Sequence, residues 1–240
     1  MTSLEAVAVR KSRRTYNDIP LSSHEIDVLT NWINAFNLRE SLSFQLVINR
    51  PDLFGGFIKS YGMLSGVRNF IVVAGPENDP HLFEKLGYYG ELLVLEATRL
   101  DLGTCWVGGS FDLHSVKTIV QPSDILVAVI AIGNVEGKFS AKESFIRGLT
   151  HLKKTTNQRF FETDGTEPEW FFSAIDAVSK APSAVNQQPV VFSVKQGVIS
   201  ARLRIHNHFA KVDFGIAKAH FQLASPGGFW AWGESAVFHT

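Results

Sequence analysis

The 240-residue sequence has a single cysteine, Cys105, which excludes an internal disulfide and a cysteine-only zinc site and fits a reducing compartment. Charge of one sign is equally scarce. Lys plus Arg and Asp plus Glu each total 23, so no overall basic field gathers nucleic acid or an anionic membrane, and any anion site must be local. No uninterrupted apolar run reaches the about 20 residues that span a bilayer. The opening Met1-Thr2-Ser3-Leu4-Glu5-Ala6 lacks the apolar core and small-residue cleavage site of a secretory signal. The expectation is a soluble cytoplasmic protein with no nucleic-acid or membrane partner. No G-x-G-x-x-G follows a strand-like segment, so a dedicated Rossmann nicotinamide site is not indicated. The eight histidines show no zinc-type grouping, and His206 and His208 read as strand-surface residues, so no metal is expected.

What is present is apolar: 45% of residues, enough for one large domain or two small ones. Ser22 or Ser23 ahead of Glu25 reads as a helix cap, followed by helically spaced Ile26, Leu29, Ile33 and Phe36. Phe44–Ile48 is strand-like, and Phe70-Ile71-Val72-Val73 and Ile125–Ile132 suit strands buried on both faces. Phe83–Leu100 predicts a helix greasy all round, with Gly103 as its left-handed cap. Residues 137–168 read as a long surface connection. Helix Phe171–Lys180, strands Val190–Val194 and Ala201–Ile205, and helix Asp213–Leu223 follow. Asp52–Gly66, rich in glycine and carrying Phe54, Phe57 and Tyr61, suggests a cover over a ligand slot. The order helix then strand occurs in residues 23–48 and again in 170–194, which suggests a duplicated unit with a truncated second copy.

Three stretches carry candidate chemistry. In Arg10-Lys11-Ser12-Arg13-Arg14-Thr15-Tyr16, an extended backbone would turn Arg10, Ser12 and Arg14 to one side and Lys11 and Arg13 to the other. Two guanidinium forks flanking a hydroxyl suit a phosphate, although a solvated basic terminus has the same composition. Gly108-Gly109 lets backbone approach a ligand closely, or makes a plain turn. Cys105, with no His or Cys partner nearby, reads as a small buried hydrophobe. In Ala181-Pro182-Ser183-Ala184-Val185-Asn186-Gln187-Gln188-Pro189, two prolines bound an ordered loop carrying one hydroxyl and three carboxamides. It suits a flat heterocycle with imide and hydroxyl edges, or is a connector whose polar groups satisfy one another.

Together these stretches resemble the nitroreductase family of flavin enzymes. Arg10–Tyr16 is similar to the family's opening R-x-S-x-R-x-F/Y element, Gly103–Gly109 to the segment after its central helix, and Ala181–Pro189 to its proline, serine and asparagine loop. The order departs from ordinary members, where that loop soon follows the first helix; here Ala35–Phe44 lacks it and the second copy carries it. This resembles the TM nitroreductase branch, in which one chain imitates the family homodimer. The resemblance implies an α+β, nitroreductase-like, internally duplicated fold, with residues 1–150 as the first half and 151–240 as a connection plus truncated second half. It implies one FMN per chain, at the interface of two pseudo-subunits, in a protein that is a monomer or a dimer. It also implies two-electron transfer from NADH or NADPH to a planar small-molecule acceptor, with a non-catalytic flavin or nucleotide binder as the alternative. No side chain need act as nucleophile or acid. By this resemblance Arg10 and Ser12 hold the phosphate, helped by Lys153 or Lys154, and Arg14 faces flavin N1 and the C2 carbonyl. A Gly108 or Gly109 amide meets N5, and Pro182, Ser183, Ala184 and Asn186 cover the dimethylbenzene edge and ribityl chain.

Overall fold

The capping signal at Ser22 is realised atom for atom: the Ser22 hydroxyl accepts from the Glu25 N–H, and the Glu25 carboxylate accepts from the Ser22 N–H at 2.6 Å. These details come from a computed structural model, which describes residues 1–52, 64–109, 111–117, 119–150 and 157–240. The cap opens α2 (Ser23–Glu40), which α1 (Ser3–Val9) precedes. By contacts within the chain the molecule divides into two units. One comprises Arg10–Leu82 and Leu93–Leu149; the other comprises Met1–Val9, Phe83–Leu92 and Thr150–Thr240. Helix α3 (Leu82–Arg99) therefore changes unit along its length, and α1 counts with the C-terminal stretch.

The first unit is built on an antiparallel sheet in the order β1-β2-β4-β3, with β1 (Gln45–Val47), β2 (Asn69–Pro76), β3 (Gly103–Val107) and β4 (Asp124–Gly133). The apolar runs at β2 and β4 lie centrally and pair over most of their length, with a register shift between Val73 and Ala74. Their alternate side chains join Cys105, Val107 and Phe111 in one core cluster. Short helix α4 (Leu113–Lys117) and helix α5 (Ala141–Thr150) complete the unit. The surface connection expected at 137–168 thus contains a helix. The left-handed residue after α3 is Asp101, at φ 60°, and not Gly103, which opens β3.

The second unit carries a three-stranded sheet, β5-β6-β7, with β5 (Phe161–Thr163) parallel to β6 (Val190–Lys195) and β7 (Val198–Leu203) antiparallel. Strand β7 begins three residues before the expected Ala201. Helices α6 (Phe171–Ser179) and α7 (His208–Ala224) and the ribbon β8 (Phe229–Trp230) with β9 (Phe238–His239) supply the rest of its core. At its centre Phe192 stacks on Phe221, ring centroids 4.7 Å apart and 7° from parallel.

Within this unit α7 lies against the first half of α3 at backbone distance. A Cβ on Gly215 would sit 1.8 Å from the Glu84 carbonyl oxygen, and one on Gly87 would sit 2.0 Å from the Val212 carbonyl oxygen. The same crossing buries Lys218, whose ammonium donates to Glu84 and to the carbonyls of Ala231 (3.1 Å) and Gly233 (3.2 Å). It also lies 4.3 Å from the centroid of the Phe214 ring. Among the described residues no helix is long and apolar enough to cross a membrane. Because backbone cannot yield to a methyl group, Gly215→Ala should destabilise the protein by about 2 kcal/mol or more despite alanine's better helix propensity. A shift of the urea midpoint to lower concentration checks this, and an unchanged midpoint would show that the two helices part freely.

Candidate functional site

In the first unit the basic segment is extended and fastened along β3. Ser12 bridges Thr104, the Arg13 N–H donates to the Thr104 carbonyl at 2.8 Å, and Thr15 bridges Ser65. Gly103 makes the close passage possible, since a Cβ there would stand 3.0 Å from the Arg13 Cβ and 2.3 Å from Val135. Tyr16 closes the segment: its ring is buried in the core and its hydroxyl donates to the Arg13 carbonyl at 2.9 Å.

The two sides of the segment have different surroundings. Lys11 and Arg13 both lie over the Phe139 ring, at 5.4 and 5.1 Å from its centroid. Arg10 and Arg14 are both close enough to the Cys105 thiol to counteract the burial that pushes that thiol up. Arg10, Ser12 and Arg14 are each half-buried. Cys105 itself is buried in the β2-β4 core, which accounts for its residue type without any reactivity.

A residue that sequence reasoning missed organises this arrangement. Glu143, on the first turn of α5, has no exposed side-chain surface. It accepts from the Arg14 N–H (2.6 Å), the Thr15 N–H (3.3 Å), the Arg13 Nε (3.1 Å) and the Ser140 N–H (2.8 Å). Burial alone would raise the carboxyl, but the Arg13 guanidinium and the backbone donors of Arg14 and Ser140 hold it at about 2. The Ser140 hydroxyl returns a bond to the Glu143 N–H, so Ser140-Ala141-Lys142-Glu143 is a capping box. That four-residue pattern was the available signal.

Gly108 and Gly109 follow β3 directly and are exposed, and among the described residues a Cβ on Gly109 would meet nothing within 4 Å. Lys153 and Lys154 lie outside the described residues, as does most of Asp52–Gly66.

The proline-bounded loop belongs to the second unit, where Ala184–Asn186 forms one 3₁₀ turn. Ser183 accepts from the Gln188 N–H at 3.0 Å, and the Gln188 amide donates to the Ala181 carbonyl at 2.9 Å and to Asn186 Oδ1 at 3.2 Å. Groups outside the loop also hold it: Arg159 donates to the Gln187 carbonyl at 2.8 Å, the Arg204 N–H donates to the Pro189 carbonyl at 2.9 Å, and the Asp213 carboxylate accepts from the Ala184 N–H. Much of the loop's polarity is thus directed inward, as its connector reading foresaw, while Val185 is 79% exposed.

Glu143 makes the basic segment's attachment dependent on pH. Its pKa is depressed in the folded state, so the stability it contributes is full above about 4.5 and is lost as pH falls toward about 2. That stability amounts to roughly 3 kcal/mol. Glu143→Gln should lower unfolding free energy at pH 7 by about 2–3 kcal/mol and flatten its fall below pH 5, as measured by denaturant titration across pH. An acid limb equal to that of the wild type would show that another carboxylate carries it.

A family model described as "Putative TM nitroreductase" matches residues 2–225. Among solved structures, a putative nitroreductase from Thermotoga maritima matches with a TM-score of 0.67 at 20% identity, over 99% of this chain and 92% of that one. A putative NADH dehydrogenase/NAD(P)H nitroreductase from Bacteroides thetaiotaomicron matches with a TM-score of 0.50 at 18% identity, over 66% of this chain and 95% of that one. At such identities the likeness concerns the fold. Among curated proteins none matches at a significant level. The architecture is α+β and nitroreductase-like, and with a family model covering nearly its whole length the chain belongs to the TM nitroreductase family.

Proposed function

We propose that the protein is an FMN-dependent oxidoreductase of nitroreductase type. It takes two electrons from NADH or NADPH and passes them, in ping-pong fashion, to a nitroaromatic, a quinone or a similar planar acceptor. The observation that carries this reading is the clamped basic segment. Arg10 and Arg14 share one side of an immobilised backbone, Ser12 lies between them, and Glu143 neutralises Arg13 on the other. Two fixed cations beside a half-buried hydroxyl fit a phosphate and an electron-rich ring, and open backbone at Gly109 fits close approach by a flat ligand.

Bound FMN would supply hydride chemistry at its N5. In the proposed arrangement Arg10 and Ser12 hold the phosphate, with Lys153 or Lys154. Arg14 stabilises negative charge at the N1 and C2-carbonyl edge without reorganisation, because its backbone is already pinned by Glu143. The Gly108 or Gly109 N–H is directed to N5. Pro182, Ser183, Ala184 and Asn186 cover the ring edge and ribityl chain. Catalysis then consists of positioning and electrostatics, with the acceptor stacked where the nicotinamide left. The chain works as a monomer that imitates the family dimer, with one FMN.

A second reading, a flavin or nucleotide binder without turnover, is favoured by one observation. The Ser183 hydroxyl and the Ala184 N–H already have partners within the loop and at Asp213. Purified protein reconstituted with FMN separates the two: yellow colour that bleaches anaerobically with NADH or NADPH supports the enzyme, colour that persists supports the binder, and failure to take up FMN ends both. Titration of FMN into apoprotein should saturate at one per chain, and saturation at two would overturn the single-site count. Arg14→Ala removes a charge-assisted contact and should weaken FMN binding by roughly tenfold or more in the same titration. Undiminished affinity would mean that Arg14 does not face the cofactor.

A further inference from the structure

The proline-bounded loop is held in a shape its residues do not favour. Val185 (φ 45°), Asn186 (φ 56°) and Gln188 (φ 51°) all occupy the left-handed region, and none is glycine. A β-branched residue there is a rare conformation that surrounding structure must impose. Packing does not impose it, because Val185 is 79% exposed. The restraint must come from hydrogen bonds. Among the groups outside the loop that supply them is Asp213, on the second turn of α7, which takes the Ala184 N–H on both carboxylate oxygens at 3.1 Å each. This carboxylate is buried, at 5% exposure, immediately ahead of the left-handed turn.

We propose that Asp213 is a positioning residue: by ligating the Ala184 N–H it locks the loop from Pro182 to Gln188 in its ligand-binding shape, and its ionisation sets how firmly. The proposal rests on the reading that this loop contacts the cofactor. A carboxylate accepts an N–H roughly twice as strongly as a neutral carboxyl does, so protonation loosens the loop while the fold persists.

The surroundings put that change near neutrality. Burial pushes the Asp213 carboxyl up, the Ala184 N–H pulls it back, the charge on Glu91 raises it, and the outcome is about 7. Glu91, on α3, meets Nε2 of buried His220 at 2.9 Å, and Nδ1 of that ring meets the Ala177 carbonyl on α6 at 3.0 Å. Among the described residues no cation offsets the burial of Asp213.

The test is amide hydrogen exchange in the full-length apoprotein, corrected for intrinsic exchange, from about pH 5.5 to about pH 8.5. In the wild type, protection at Ala184 should rise by about fivefold across neutrality, the difference between a neutral and a charged acceptor. Asp213→Asn should show no such step, and Asp213→Ala should exchange fast throughout while the amides of α7 stay protected. FMN affinity should follow the same course: stronger at high pH in the wild type, flat in Asp213→Asn. Protection at Ala184 that is flat with pH in the wild type overturns the proposal, as does an alanine variant that keeps wild-type protection. Should the alanine variant not fold, the wild-type and asparagine series still decide. If FMN does not bind at any pH, the flavin reading fails while the exchange data judge the anchor alone.

Discussion

A carboxylate taken out of water must find donors or give up its charge, and much of the basic segment's geometry follows from the way Glu143 meets that demand. Glu143 has no exposed surface, and its needs are met by backbone amides of Arg14, Thr15 and Ser140 and by the Arg13 guanidinium. Satisfying them pins three consecutive residues of a chain segment that would otherwise be a charged, solvated arm. Pinning the backbone fixes the alternation of its side chains. Lys11 and Arg13 turn to Phe139, and Arg13 also to Glu143 on α5, while Arg10 and Arg14 alternate with them beside Cys105. One buried charge thus turns a basic composition into a directed surface.

The second unit repeats the device with different parts. There the buried carboxylate is Asp213, on a helix again, and its donor is a backbone amide of the proline-bounded loop. In each unit the segment assigned to the cofactor is irregular backbone, and in each a helix-borne acid holds it. Rigid elements are better supports than loops for such positioning, because their own conformation is already determined by ladder bonds and packing. The helix that carries Asp213 is itself held against α3 at glycine distance, with Lys218, Glu84, His220 and Glu91 all buried along the same crossing. Such a polar network is costly unless every member is paired, and here the pairing specifies one register of the two helices.

A solved structure of the same fold matches 66% of this chain and 95% of itself. The additional third is consistent with the repeated helix-then-strand order, α2 before β1 and α6 before β6.

Much of the architecture was legible because its signals are local. A capping box at Ser22, continuous apolar runs at β2 and β4, and an all-round apolar helix α3 each depend on neighbours a few positions away, and so does the extended, alternating character of Arg10–Tyr16. Strand β3 was hidden because Gly103–Val107 is short and takes its ladder from β4, whose partners run from Gly133 back to Val129. Glu143 falls in the expected surface connection and Asp213 at the start of an expected helix, where acids are ordinary. Which carboxylate is buried, and whose amide it then claims, is a question of what packs over it: Glu143 lies about 130 positions from Arg13, and Asp213 lies 29 from Ala184. Residue type and short-range pattern settled the elements and the chemistry on offer. The burial that makes a charge seek donors, and so turns those elements into a site, arises only when distant segments exclude water together.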